Sequence, residues 1–292
     1  MKKAYTNRIV IFAVALVALV VLVGLGVWYF FLKQPKNISP AIPVANTTPA
    51  TATSTEQIPA VPALPLFNYI EITDGCGPYY DTGLCVNMRS GPGTNYSVVE
   101  RLRTGVVLKV ASTTVQDKDG LAWYKIIQDK TIRYPERVKS DLFVAVNPSS
   151  VAPLEDIGDQ DTTRDTPTTT KRIVVDTAEE MLYAYDGDIL FMEEPISTGL
   201  EFTPTPIGTF KIFRKTPSRY MQGPLPGVSS QYFDLPGVPW NLYFSNGGAV
   251  IHGTYWHDHF GKPWSHGCVN LAPENAKKLY VWADLETTIT VN

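Results

Sequence analysis

Ile251-His252-Gly253-Thr254, then a loop, then Ser265-His266-Gly267-Cys268-Val269-Asn270-Leu271, is the stretch around which this chain of 292 residues is organised. All four histidines lie between His252 and His266, and one of only three cysteines follows two residues later. A thiol is a weak nucleophile until it loses its proton. A histidine within hydrogen-bond reach can take that proton and later return it to a leaving amine. Two histidines qualify. His266 is tied to Cys268 through Gly267, always near but poorly free to swing over the sulfur. His252 is 16 positions upstream and needs a fold that brings the two segments together. Spacing alone does not choose between them. Gly267 lets backbone approach a substrate closely, and the N–H groups of Gly267 and Cys268 could form an oxyanion hole.

At these residues the chain resembles the L,D-transpeptidase family of bacterial cell-wall enzymes, whose signature pairs a His-Gly-Thr strand end with Ser-His-Gly-Cys-apolar-Arg/Asn. The resemblance extends upstream to Thr203-Pro204-Thr205-Pro206-Ile207-Gly208-Thr209-Phe210 and downstream into a helix after Leu271, covering Lys171 to Asn292. It implies that Cys268 is the nucleophile and His252 the base. The Gly253 carbonyl would orient the imidazole, and His266 with the backbone after it would help hold the acyl carbonyl. Ser265 and Asn270 are expected at the substrate. The substrate class implied is peptidoglycan stem peptides, cross-linked through a cysteine thioester, with no cofactor. Water as acceptor would make the same site an L,D-carboxypeptidase. A non-catalytic wall-binding protein is the reading from a different class.

Local pattern gives the domain at 171–292 a mostly β fold, a sheet sandwich with one main helix. Arg172 to Asp176 reads as a strand. Met181–Tyr185 and Ile189–Met192 flank Asp186-Gly187, a hairpin turn signal. Gly208–Phe213, Ala249–His252 and Thr287–Val291 read as further strands. Pro273 opens a helix with Ala276, Leu279, Tyr280 and Ala283 on one face. Between Lys215 and Ser245 lies a Gly/Pro/aromatic segment expected as a long loop, a lid or binding wall. Trp240, Tyr243 and Trp256 are expected to line the acyl-donor cleft; the alternative is that they pack beneath the loop. His257-Asp258-His259 has a metal-ligating spacing. Exposed loop histidines are the ordinary explanation, and no metal is expected.

Upstream, residues 67–147 alternate short apolar runs with turn residues, a small all-β pattern. Val86-Asn87-Met88-Arg89-Ser90-Gly91-Pro92-Gly93, Arg103-Thr104-Gly105 and Trp123-Tyr124-Lys125 resemble a bacterial SH3-like domain. Such a domain implies wall binding or a structural spacer. Cys76 and Cys85, nine apart, form a plausible disulfide outside the cytoplasm, which leaves Cys268 free. Two thiols without a nearby His make no zinc site. Residues 148–170, Pro/Thr-containing and acidic, read as a solvated hinge. Residues 34–66, rich in Pro, Thr and Ala, cannot bury a core and read as an extended tether.

Residues 1–33 hold Lys2, Lys3 and Arg8, then 24 residues from Ile9 to Leu32 without a charge. At about 1.5 Å per residue that run spans a bilayer core of roughly 30 Å with some tilt. Trp28 and Tyr29 sit at its far end, where aromatic rings favour the interface. A single-pass anchor with a cytoplasmic N-terminus and an extracytoplasmic catalytic domain is expected. A cleaved signal peptide is the alternative, normally with an apolar region of about 7–15 residues. The net charge of −3 suggests no nucleic-acid partner.

Overall fold

Short β-branched runs broken by Gly and Asp turns build the first sheet. The computed structural model describes residues 69–129, 132–138, 141–155, 157–161 and 169–292. Strands β1 (Tyr69–Ile72), β2 (Val86–Arg89), β3 (Val98–Leu102), β4 (Val107–Gln116), β5 (Ala122–Ile126), β6 (Phe143–Ala145) and β7 (Val151–Leu154) lie in the order β3-β2-β6-β5-β4-β1-β7. Asp117 fixes the β4–β5 turn: its carboxylate accepts the N–H groups of Asp119 and Leu121 at 2.9 Å and the Trp123 indole N–H at 3.0 Å. Ile70, Ile72, Met88, Leu102, Leu108 and Val144 form the core beneath this sheet. Cys76 and Cys85 are disulfide-bonded, and Cys268 is free. The anchor expected at 9–32 and the tether at 34–66 lie outside the described residues. Among the described residues no helix is long and apolar enough to cross a membrane.

The second part, from Gln160 onward, is a sandwich of two five-stranded sheets. One holds β9 (Lys171–Asp176), β10 (Met181–Asp186), β11 (Ile189–Pro195), β12 (Gly208–Lys211) and β17 (Thr288–Val291), in the order β11-β10-β9-β17-β12. The other holds β8 (Gln160–Asp161), β13 (Arg214–Leu225), β14 (Ser229–Tyr243), β15 (Val250–Gly253) and β16 (Val269–Leu271), in the order β16-β15-β14-β13-β8. Inward residues of both sheets meet in one core that includes Ile173, Leu182, Ile212, Leu242, Ile251 and Ile289. Helix α1 (Pro273–Trp282) buries Ala276, Leu279 and Tyr280 against it. Fully burying a side chain such as Leu279 contributes about 2 kcal/mol.

Two expectations change. The segment 215–245, read as a loop, is the long β13–β14 hairpin. Pro217, Pro224, Pro236 and Pro239 hide its alternation, and register shifts at Arg219/Met221 and Gly223/Leu225 absorb the misfit. Residues 148–170 are not wholly a solvated hinge. β7 pairs with β1, and β8 pairs with β13, because Val151 and Leu154 point inward despite the acidic surroundings.

The hairpin seats on the first sheet. Val238 and Tyr255 of the second part are buried in the first sheet's core. Ser218 Oγ donates to the Val107 carbonyl at 2.5 Å, and Gln222 bonds both the N–H and C=O of Tyr134 at 2.7 and 3.2 Å. Gly237 has φ +68, and a Cβ there would lie 2.6 Å from the Val107 oxygen, so only glycine fits this approach.

Candidate active site

Strands β15 and β16 run parallel, with Ile251 opposite Val269, His252 opposite Asn270 and Gly253 opposite Leu271. Ile251, Val269 and Leu271 face the apolar core, which fixes the register; a one-residue slip of β16 would turn Asn270 into that core. Cys268 directly precedes β16. Extending the ladder one residue back sets it across from Val250, whose N–H favours the ionised thiol. His252 is two residues from Val250 and so projects from the same face of the sheet. Diagonal neighbours across a ladder have Cα atoms about 7–8 Å apart, within reach of long and aromatic side chains. The fold therefore brings to one face the two groups that spacing left unassigned.

His252 is buried, and its Nδ1 donates to the Gly253 carbonyl at 3.0 Å. A carbonyl can only accept, so the ring proton sits on Nδ1 and the Nε2 lone pair is left for a thiol proton. Burial pushes the imidazole down to about 4, the Gly253 bond opposes this, and the charges of Arg219 and His257 lower it further. At neutral pH the ring is uncharged, the state a base requires. Cys268 keeps partial exposure, but its surroundings desolvate it. Burial raises its pKa, opposed by Arg219 and the Val250 N–H. The resting pair is thus a neutral thiol and a neutral imidazole.

The turn carrying the thiol is tightly held. Ser265 Oγ accepts the Gly267 N–H at 3.0 Å and donates to the Cys268 carbonyl at 2.6 Å. Gly267 has φ +109, which favours glycine. The two backbone donors expected for an oxyanion therefore differ: the Gly267 N–H is already engaged by Ser265, and the Cys268 N–H is the one left from this turn.

Several predicted site residues take other places. Ser265 and Asn270, expected at the substrate, are buried. Ser265 clamps the turn, and Asn270 holds His257. A backbone N–H only donates, so the bond from His259 N to His257 Nδ1 at 3.2 Å makes Nδ1 an acceptor and puts the ring proton on Nε2. The Asn270 side-chain amide lies 2.9 Å from Nε2 through its nitrogen, and a flip of that amide would let its oxygen accept the ring proton. Trp240 does not line a cleft. It is fully buried against Tyr280, ring centroids 5.3 Å apart, with a left-handed φ of +60 that bends β14. Trp256 does lie beside the base, its ring 5.7 Å from that of His252. Tyr243 pairs with Val250 and stacks under Arg214 and Arg219 at 5.1 and 5.6 Å. His266 is half-buried, pushed down by burial, and stacked on Phe233 of the hairpin at 6.1 Å.

Asp258 and His259 both meet Tyr79 of the first part. The Tyr79 hydroxyl donates to Asp258 at 2.8 Å and lies 3.3 Å from His259 Nε2. Among the described residues no group of three or more His, Cys, Asp and Glu is arranged to hold a metal ion. Sequence reading missed Arg219, which acts electrostatically on both Cys268 and His252. It lies in the hairpin, remote from the motif, and nothing in its local sequence marks it.

Residues 170–291 match the YkuD family, the L,D-transpeptidase catalytic domain, and residues 82–134 match the bacterial SH3 domain. No curated protein matches the chain. Among solved structures, the L,D-transpeptidase of Stackebrandtia nassauensis is 26% identical over 44% of this chain and 58% of its own, with a TM-score of 0.35. An L,D-transpeptidase from Mycobacterium smegmatis is 19% identical over 76% of this chain and 96% of its own, TM-score 0.40. The catalytic domain of the E. faecium L,D-transpeptidase is 24% identical over 44% of this chain and 100% of its own, TM-score 0.37. The chain thus spans 58% of the first of these.

Proposed function

We propose, from an L,D-transpeptidase catalytic domain at residues 170–291 behind a bacterial SH3 domain, that the chain cross-links peptidoglycan stem peptides through a thioester on Cys268. The observation that carries this reading is the parallel β15–β16 pairing, which sets His252 and Cys268 on one sheet face with the His252 Nε2 unprotonated.

The steps follow from that geometry. His252 Nε2 takes the Cys268 proton, and Arg219 favours the developing thiolate. The sulfur attacks the carbonyl of the third stem residue, at the bond before a terminal D-alanine. Charge on the oxygen is held by the Cys268 N–H, the donor this turn leaves open. The intermediate collapses, the C–N bond breaks, and His252 returns its proton to the departing D-alanine amine. A thioester remains. An amine from the third residue of a neighbouring stem then attacks the thioester and expels the sulfur, and the thiol is restored. The product is a cross-link between two third-position residues. Water in place of the amine yields a trimmed tripeptide.

The uncharged run 9–32 with its basic flank anchors the chain in the cell membrane, N-terminus inside, and the tether carries the folded part into the wall. Turnover of a synthetic tetrapeptide stem by the wild type and by Cys268→Ala tests the enzyme reading. The wild type releases D-alanine and the variant does not; equal inactivity of both leaves a wall-binding protein. Mass analysis separates cross-linked dimers from trimmed monomers.

A further inference from the structure

The chemistry above makes no use of Glu180, although this carboxylate is only 4% exposed and its backbone is left-handed, φ +54. A buried carboxylate is costly unless its oxygens are satisfied. Both are satisfied by one residue. Thr198 donates its N–H to Glu180 Oε2 at 2.7 Å and its hydroxyl to Oε1 at 2.5 Å. The Glu180 carbonyl also accepts the Ile196 N–H at 2.9 Å.

Thr198 is the midpoint of a strap that grips both ends of the turn carrying Cys268. On one side, Ser197 exchanges two backbone bonds with Asn270, at 2.9 and 3.0 Å. On the other, the Thr198 carbonyl accepts the N–H groups of Trp264 and Ser265, both at 2.9 Å, and the Leu200 N–H donates to the Ser265 carbonyl at 2.9 Å. Ser265 then holds Gly267 and Cys268 through its hydroxyl. Glu180, Thr198 and Ser265 form a buried polar chain that ends at the nucleophile's own backbone.

We propose that Glu180 is a positioning residue for the reaction: through Thr198 it sets the strap, and the strap sets the turn on which Cys268 meets His252. Charge-assisted hydrogen bonds are about twice as strong as neutral ones, and the left-handed backbone is kept where the carboxylate must reach one spot. This inference rests on the proposed activity for its kinetic readout alone; the alkylation readout is independent of it.

The test uses Glu180→Ala, Glu180→Gln and Thr198→Val in the full chain, assayed well below each melting midpoint. The measurements are stem-peptide turnover and the rate of iodoacetamide alkylation of Cys268. Loss of a hydrogen bond to a charged group is expected to lower kcat and the alkylation rate about tenfold or more in Glu180→Ala, with KM nearly unchanged. Glu180→Gln, which keeps an acceptor for the Thr198 N–H, recovers most of the rate. Thr198→Val, which loses only the hydroxyl bond, falls between them and carries the test if Glu180→Ala does not fold. Lower melting midpoints with wild-type kcat and alkylation rates would overturn the proposal and leave Glu180 a fold residue. A wild type that turns over no stem peptide sinks the proposed function, while the alkylation series still decides the role of Glu180.

Discussion

At the scale of single residues, the central fact is that His252, the proposed base, is buried and neutral. Burial takes His252 and His257 to about 4 from an ordinary 6.5. The acid limb of kcat/KM for the stem peptide is therefore expected near pH 4; a limb near pH 6.5 contradicts a buried His252 as base. The same two groups link pH to stability. Their folded values lie below the unfolded one, so the unfolded chain binds more protons between pH 4 and 6.5. Stability is full above about pH 6.5 and falls as pH drops toward 4, by up to about 3 kcal/mol per group. Arg219 offers a second residue-scale check. Its charge lowers the Cys268 pKa against burial, so Arg219→Gln is expected to slow alkylation at pH 7. An unchanged rate would remove Arg219 from the site. His252 and Cys268 were legible as candidates from type and spacing together with family resemblance, and the structure sets them on one sheet face. Arg219 and Glu180 were not, because they reach the site through pairing of strands remote in sequence.

At the scale of elements, long periodic signals read well and Pro-rich ones did not. The β10–β11 hairpin around Asp186-Gly187 follows from its turn residues, and the helix from its opening proline and apolar face. The β13–β14 hairpin did not, since prolines and glycines removed its alternation and bulges restored the pairing only in three dimensions. That misreading placed Trp240 in a cleft, whereas the strand turns it inward. Lys215, on the same hairpin, faces the core next to Leu242 and caps α1, its ammonium donating to the Ala283 carbonyl at 2.5 Å. Desolvation lowers it to about 8, and Asp284 opposes this. Its folded value is below the unfolded 10.5, so the unfolded chain binds more protons between pH 8 and 10.5, and stability rises with pH through that window. Lys215→Met is expected to abolish that rise in the melting midpoint. A variant with the wild-type slope would mean that the slope comes from elsewhere.

At the scale of the whole molecule, the SH3-like sheet is built into the catalytic part. The sequence shows two domains and a hinge; the structure gives a shared core, with Val238 and Tyr255 buried on the first sheet and Lys277 paired with Glu71 at 2.5 Å. Arg103 of the first sheet lies between the rings of Tyr80 and Tyr255, at 4.5 and 4.9 Å, and Tyr79 bonds the loop between the two motif halves. None of these contacts was legible, because each joins a residue that alone reads as an ordinary surface or turn position. A chain reduced to residues 171–292 exposes Val238 and Tyr255, each worth about 2 kcal/mol of burial, and leaves the β13–β14 hairpin without support. It is expected to melt well below a chain of residues 69–292. An equal melting midpoint would show that the two parts are energetically separate.

The most direct measurement is the intact mass of the protein quenched in acid during turnover of a tetrapeptide stem. The account predicts an adduct of the stem shortened by D-alanine, located by digestion on the peptide containing Cys268, at a level that falls in His252→Asn. Release of D-alanine by Cys268→Ala, or an adduct on any other residue, would contradict it.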